Sequence, residues 1–170
     1  MELAGRLSNP SLLRALRSLR LRGPAAGHTR SVADTNEEIV RRFGEVLNQS
    51  ESVDAAMAEL EELMDPEIEY VNPADAIEGG TRKGIAAMRT VFENFLAGAG
   101  AGATVELEEL EERDDRVFIR GRVHARGESS GAEAIGPPVG MIYTIRNRRV
   151  LRIEWHYDVE MARASFERDR

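Results

Sequence analysis

The sequence predicts an α+β fold: a cone-shaped, curved, mostly antiparallel sheet wrapped on three N-terminal helices, with a short C-terminal helix. Two observations carry this. Apolar residues recur at helical spacing up to about residue 96, and from about 105 onward they alternate with polar ones, as in strands. The order is therefore helix, helix, short strand, helix, then strands alone, and such segregation places helices against one face of a sheet. With 42% apolar residues in 170, one such domain has enough material for a real core.

The domain is expected to open near residue 34. Thr35 and Glu38 have the spacing of a capping box, and Ile39, Val40, Phe43, Val46 and Leu47 form the apolar stripe of a first helix. Asn48-Gln49-Ser50 reads as its stop. A second helix is expected over about Val53–Met64, burying Val53, Met57, Leu60 and Met64 and ending before Pro66. Ile68–Val71 reads as a short strand running into a loop at Pro73, and Glu78-Gly79-Gly80-Thr81 as a turn. A third helix follows over about Ile85–Leu96, with Met88, Val91, Phe92 and Phe95 on its apolar side, and the Gly/Ala run 97–103 marks a turn.

From there the period is two. Val105 and Leu107 alternate with Glu106 and Glu108, and Glu109-Leu110 breaks phase as a bulge does. Val117, Ile119, Val123 and Ala125 alternate with Phe118, Arg120, Arg122 and His124. Strands over 139–146 and 150–157 flank a tight polar turn at 147–149, and Val159–Arg168 reads as the closing helix. Three helices over one curved sheet leave a cone between them, a natural place for a pocket.

Charge separates the N-terminal stretch from this body. Residues 1–31 hold six arginines against Glu2, a balance of +5, and with −7 overall this leaves −12 on the rest. An acidic body repels phosphate backbones, so no nucleic-acid partner is expected. Residues 1–33 are read as an Arg-rich extension and linker, in which Leu12, Leu13, Leu16 and Leu19 share one face of a basic helix over 11–22. Three origins remain open for it: translation from an upstream start, a membrane- or partner-binding helix, or a transit peptide. Membrane contact is expected only through 11–22, because no apolar run approaches the roughly 20 residues that span a bilayer. Cysteine is absent, which excludes disulfides and thiolate metal sites. The three histidines lack metal-ligand spacing, and Gly98–Gly102 follows a helix instead of preceding one, unlike a phosphate loop. No metal or cofactor is expected, and the compartment is expected to be the cytoplasm.

Several segments together resemble the SnoaL-like group of the nuclear-transport-factor-2-like, or ketosteroid-isomerase-like, superfamily. They are IVRRFGEVLNQ, LEELMDPEIEYVNP, GGTRKGIAAMRTVFENFL, DDRVFIRGRVHARG with its SSG loop, and RRVLRIEWHYDVEMARA. The resemblance spans about residues 36–166. It implies a cone-shaped α+β barrel with a deep pocket for a small apolar molecule, often a homodimer through the outer face of the sheet. It implies no single reaction.

The same resemblance sorts the candidate residues. The isomerases hold an aspartate base just before a proline after the first strand, and Asn72 stands there, unable to take a proton at neutral pH. Phe43 stands where they carry a tyrosine donor on the first helix. The limonene-epoxide-hydrolase branch positions a water with a Tyr-x-Asn pair, matched by Tyr70 and Asn72. Its Arg-x-Asp pattern meets Arg122-Val123-His124 here, and its late aspartate falls near Glu154-Trp155-His156-Tyr157-Asp158. SnoaL-type cyclases use a late aspartate with histidine nearby. His156 and Asp158 alternate on a strand and so share a face, and His124 joins them if that face points inward. The competing reading is that Asp158 caps the last helix and both histidines sit on a solvated face.

The candidates are thus Asp158, His156 and His124 for catalysis, and Tyr70, Asn72, Arg122, Tyr143 and Phe43 for the substrate. Trp155, Leu151 and Ile153 read as core or dimer contacts. The functional expectation is a pocket for a small apolar or polyketide-like molecule, worked on by a cofactor-free cyclase, isomerase or hydrolase. A non-catalytic ligand-binding or dimerisation module and a limonene-epoxide-hydrolase-like enzyme are the alternatives.

Overall fold

A computed structural model describes residues 35–168, apart from 51, 74–75, 77–78, 101–102 and 127–130. The basic helix expected over 11–22 and the linker after it lie outside the described residues. Helix α1 (Asn36–Gln49) starts with the expected capping box: Thr35 Oγ1 accepts from the Glu38 amide at 3.1 Å and Glu38 Oε2 accepts from the Thr35 amide at 2.6 Å. It buries Ile39, Val40, Phe43 and Val46.

Helix α2 (Val53–Leu60) is capped by Ser52, whose hydroxyl accepts from the Ala55 amide. It ends a turn earlier than the apolar spacing suggests. Met64, expected as its last buried residue, instead opens strand β1 (Met64–Asn72). The reason lies just beyond it: Pro66 disfavours helical backbone at Asp65. Asp65 is then held by Arg146, with Nε and Nη2 donating to its carboxylate at 3.1 and 2.9 Å, and by the Glu67 amide at 2.9 Å. Those bonds favour the ionised form and keep the buried carboxyl below its ordinary range.

The Gly79-Gly80 segment, expected to be only a turn, also supplies a strand. Gly80 has φ 110, a value open to glycine, and strand β2 (Gly80–Lys83) folds back antiparallel on β1 with Tyr70 opposite Arg82. Helix α3 (Ile85–Ala99) follows, three residues longer than expected, burying Met88 and Phe92.

The rest is a meander: β3 (Thr104–Arg113), β4 (Arg116–Arg126), β5 (Glu133–Arg146) and β6 (Arg149–His156). The phase break expected near Glu109 is present as a register shift between Leu107 and Glu109. Asn147 and Arg148 both have positive φ, which joins β5 to β6 by a two-residue turn matched to strand twist. Strand β5 begins six residues before the expected 139, because Gly136-Pro137-Pro138 does not stop it. Its register with β6 begins only at Gly140, so before that point it is paired with β4 alone, and an unpaired flank tolerates proline.

The sheet order is β2-β1-β6-β5-β4-β3, with β1 and β6 parallel and every other pair antiparallel. It is an open sheet with β2 and β3 as edges, so it is a cone and not a closed barrel. One face meets α1–α3 in the main core. The other receives helix α4 (Val159–Arg168), whose Ala162 and Phe166 pack on Phe118 and Ile142 as a second, smaller core. Part of the face expected to meet a second subunit is therefore covered by the chain itself. Gly140 makes this possible: a Cβ there would collide with the Ala162 side chain.

Candidate functional site

The cone contains a cavity of about 390 Å³, within the range of small-molecule sites. Helix α1 gives it Val40, Phe43, Gly44, Leu47 and Asn48, and α2 gives Val53 and Ala56. Helix α3 contributes Val91, Phe92, Phe95 and Leu96. The sheet supplies the floor, with Val105, Leu107, Ile119, Met141 and Ile153 among its apolar groups and Tyr70, Tyr143 and Trp155 among its polar ones. Strand alternation selects these residues: Met141 and Tyr143 on β5, and Ile153 and Trp155 on β6, each lie two apart and face the same way.

Six polar side chains line the cavity: Asn48, Ser50, Ser52, Tyr70, Tyr143 and Trp155. Three of them are committed to backbone. Asn48 donates to the Val105 carbonyl at 2.8 Å and accepts from the Val105 amide at 2.9 Å, pinning the end of α1 to β3. Ser50 donates to the Val46 carbonyl, and Ser52 caps α2. The other three, Tyr70, Tyr143 and Trp155, all come from the sheet. Phe43, fully buried, stands edge-on to Tyr143 with ring centroids 5.8 Å apart. Burial, and secondarily the neighbouring Tyr70, pushes the Tyr143 phenol well above its ordinary pKa. It therefore stays protonated and acts as a neutral hydrogen-bonding group.

Among the described residues, no carboxylate, histidine, lysine or arginine lines this cavity. Of the expected substrate contacts, the structure brings Phe43, Tyr70 and Tyr143 together there. Asn72 closes β1, opposite Gly80, and does not line the cavity. Arg122 points to the other face, where it and Arg120 both bond Glu108.

The three catalytic candidates are not in the cavity either. His124 Nε2 lies 2.8 Å from Glu106 Oε2, beside the Arg122–Glu108 pair. Asp158 caps α4: its Oδ1 accepts from the amides of Glu160 at 2.8 Å and Met161 at 3.1 Å. His156 is next to Trp155 on β6, and alternation turns it away from the cavity. Acid–base chemistry inside the cone thus loses the groups assigned to it. Among the lining residues not expected at the site are Asn48, Ser50 and Ser52 and, from the sheet, Trp155, expected only as a core or dimer contact. Its place opposite His156 was visible, but not which of the two faces was concave.

His156 Nε2 is enclosed and finds no hydrogen-bond partner among the described residues. Burial lowers the pKa of the ring, against a smaller opposing pull from Glu154. The folded state thus resists a proton that the unfolded chain accepts near 6.5. Stability from this group is complete above that value and is lost as pH falls through the lower, folded one. Thermal midpoints measured between pH 7.5 and 5.5 should fall in the wild type and fall less in His156→Gln. An equal fall in both proteins would show that this ring does not set the slope.

The sequence profile of the SnoaL-like domain matches residues 40–153, well over half of the chain. The chain belongs to the SnoaL-like family. Solved structures agree on its fold. Bal32a, from a soil-derived mobile gene cassette, is 25% identical, with a TM-score of 0.60 over 74% of this chain and 91% of its own. TerC, co-crystallised with polyporic acid, is 21% identical, with a TM-score of 0.57 over 78% of this chain and 98% of its own. A protein from Jannaschia sp. CCS1, proposed to be a SnoaL-like polyketide cyclase, is 19% identical, with a TM-score of 0.57 over 85% and 100%. A search of curated proteins finds no match. No helix among the described residues of this SnoaL-like chain is long and apolar enough to cross a membrane.

Proposed function

We propose that this SnoaL-like protein binds a small, largely apolar molecule inside the cone, as a ligand-binding module and not as an acid–base enzyme. The composition of the cavity wall carries the reading: it is aromatic and aliphatic, its polar groups are neutral, and no proton acceptor of ordinary carboxylate or imidazole strength lines it among the described residues. A cyclase or isomerase that removes a proton at carbon needs such a group within hydrogen-bond reach of its substrate. Here His124, His156 and Asp158 face elsewhere, and Asp158 is already bonded to two backbone amides.

Trp155 lines the cavity and is the single tryptophan of the chain, so its fluorescence reports on occupancy. Menadione is a suitable probe. It is a flat bicycle with two carbonyl oxygens, and the chain has no cysteine for the quinone to alkylate. It should quench Trp155 saturably and raise the thermal midpoint, with a stabilisation of about 2.7 kcal/mol at 100 times Kd. Val53→Phe with Val91→Phe, which pushes two rings into the cavity, should abolish the quenching. His124→Gln, His156→Gln and Asp158→Asn should each leave it intact. Binding that survives the filled cavity, or that disappears with the histidines, would defeat the proposal.

A further inference from the structure

We infer that the ligand is an uncharged molecule bearing an acceptor oxygen, and that Tyr143 is the residue that recognises that oxygen. This rests on the cavity being a ligand site and says which class of molecule it takes. The cavity wall separates its polar groups by role. Asn48, Ser50 and Ser52 hold the ends of α1 and α2 and pin α1 to β3. Tyr143 reaches the wall from β5 in the sheet, among Phe43, Met141 and Ile153. A phenol in such surroundings donates to a carbonyl or hydroxyl oxygen, and the low dielectric of a buried apolar wall strengthens the bond. The donor comes from the sheet, since the first helix presents the Phe43 ring to the same space.

Charge sets the second limit. Burying an ionised carboxylate without a partner costs far more than one neutral hydrogen bond returns. Among the described residues, no arginine, lysine or histidine lines the cavity to offset that cost, and no carboxylate lines it to offset a buried cation. The nearby cations are already engaged on the opposite face: Arg120 and Arg122 bond Glu108, and Arg152 bonds Glu69. The volume of about 390 Å³ sets a third limit, on size.

Three probes of one bicyclic skeleton separate these requirements. Menadione carries two carbonyl oxygens, 2-methylnaphthalene carries none, and 2-naphthoate carries a negative charge. Equilibrium dialysis against the full chain measures all three with no optical label. Wild type should hold menadione about tenfold tighter than 2-methylnaphthalene, the difference one hydrogen bond supplies. It should take up no measurable 2-naphthoate. Tyr143→Phe should bring menadione down to the level of 2-methylnaphthalene while leaving the latter unchanged, a split that a merely structural loss would not produce. The preference in wild type should be flat from pH 6 to 9, because the phenol does not titrate there.

Equal affinity for menadione and 2-methylnaphthalene in wild type would overturn the inference and leave the cavity standing as a ligand site. So would a preference for menadione that persists in Tyr143→Phe. Preferential uptake of 2-naphthoate would overturn the neutral class. Failure of all three probes to bind would remove the ligand site itself, and the inference with it. The wild-type comparison stands even if Tyr143→Phe does not fold.

Discussion

Phe43→Ala is expected to destabilise the protein by about 3–5 kcal/mol, the usual cost of removing a buried phenylalanine ring. The ring is fully buried in the main core and touches both layers of the cone. It stands 5.8 Å from Tyr143 on the sheet and 6.3 Å from Phe92 on α3, both measured between ring centroids. Such pairs add to the simple burial of area. The position also borders the cavity, so the space left by the ring opens into existing void instead of being filled by neighbours. Small domains hold only about 5–15 kcal/mol of stability in total, so the loss would take a large share of it. Urea unfolding measures this directly, as a fall in midpoint with the slope unchanged. Met161→Ala, at a site 64% exposed, is the control and should stay within about 0.5 kcal/mol. A Phe43→Ala loss below about 1 kcal/mol would mean that the ring does not join the layers as described.

The second large effect is expected on the opposite face of the sheet. Gly140→Ala should cost about 1–3 kcal/mol, because the added methyl meets the Ala162 side chain well inside contact distance and α4 has to move. The other close neighbours of that methyl, Val159 Cα at 3.4 Å and the Asp158 carbonyl at 3.7 Å, are ordinary contacts that need not shift. The collision therefore belongs to one pair, and it can be tested as a pair. Ala162→Gly alone removes a methyl from a fully buried helical site and should also destabilise. Combined, the two changes should cost clearly less than their sum, because the helix regains its seat. Strict additivity in urea unfolding would show that α4 does not rest on β5 at this point. The consequence extends beyond stability, since α4 covers Phe118 and Ile142, and lifting it exposes apolar surface on the outer face of the sheet.

Local chemistry made much of the fold legible from sequence. The Thr35–Glu38 capping box, the phase break near Glu109 and the turn at Asn147-Arg148 each depend on a few adjacent residues, and each stands where its spacing placed it. Met64 and the start of strand β5 depart from their local signals because tertiary pairing overrides them. Met64 continues the helical stripe of α2 but pairs with Val150, and Pro137-Pro138 is tolerated only because that stretch of β5 has no β6 neighbour. The site was half legible for a related reason. Alternation tells which residues share a face of β6, so Trp155 and His156 were separable, but it does not say which face is concave. Apolar residues do not decide that on β4 either, because Phe118 is needed outside to seat α4 and Ile119 inside to line the cavity. Asp158 held both a cap and a catalytic reading, and two amides resolve it as a cap.

The most direct measurement is a crystal structure of the protein with menadione. The bicycle should lie inside the cone against Trp155 and Phe43, with one carbonyl oxygen within hydrogen-bond distance of the Tyr143 hydroxyl. Menadione on the outer face of the sheet, beside His124, His156 or Asp158 and with the cavity empty, would contradict the account.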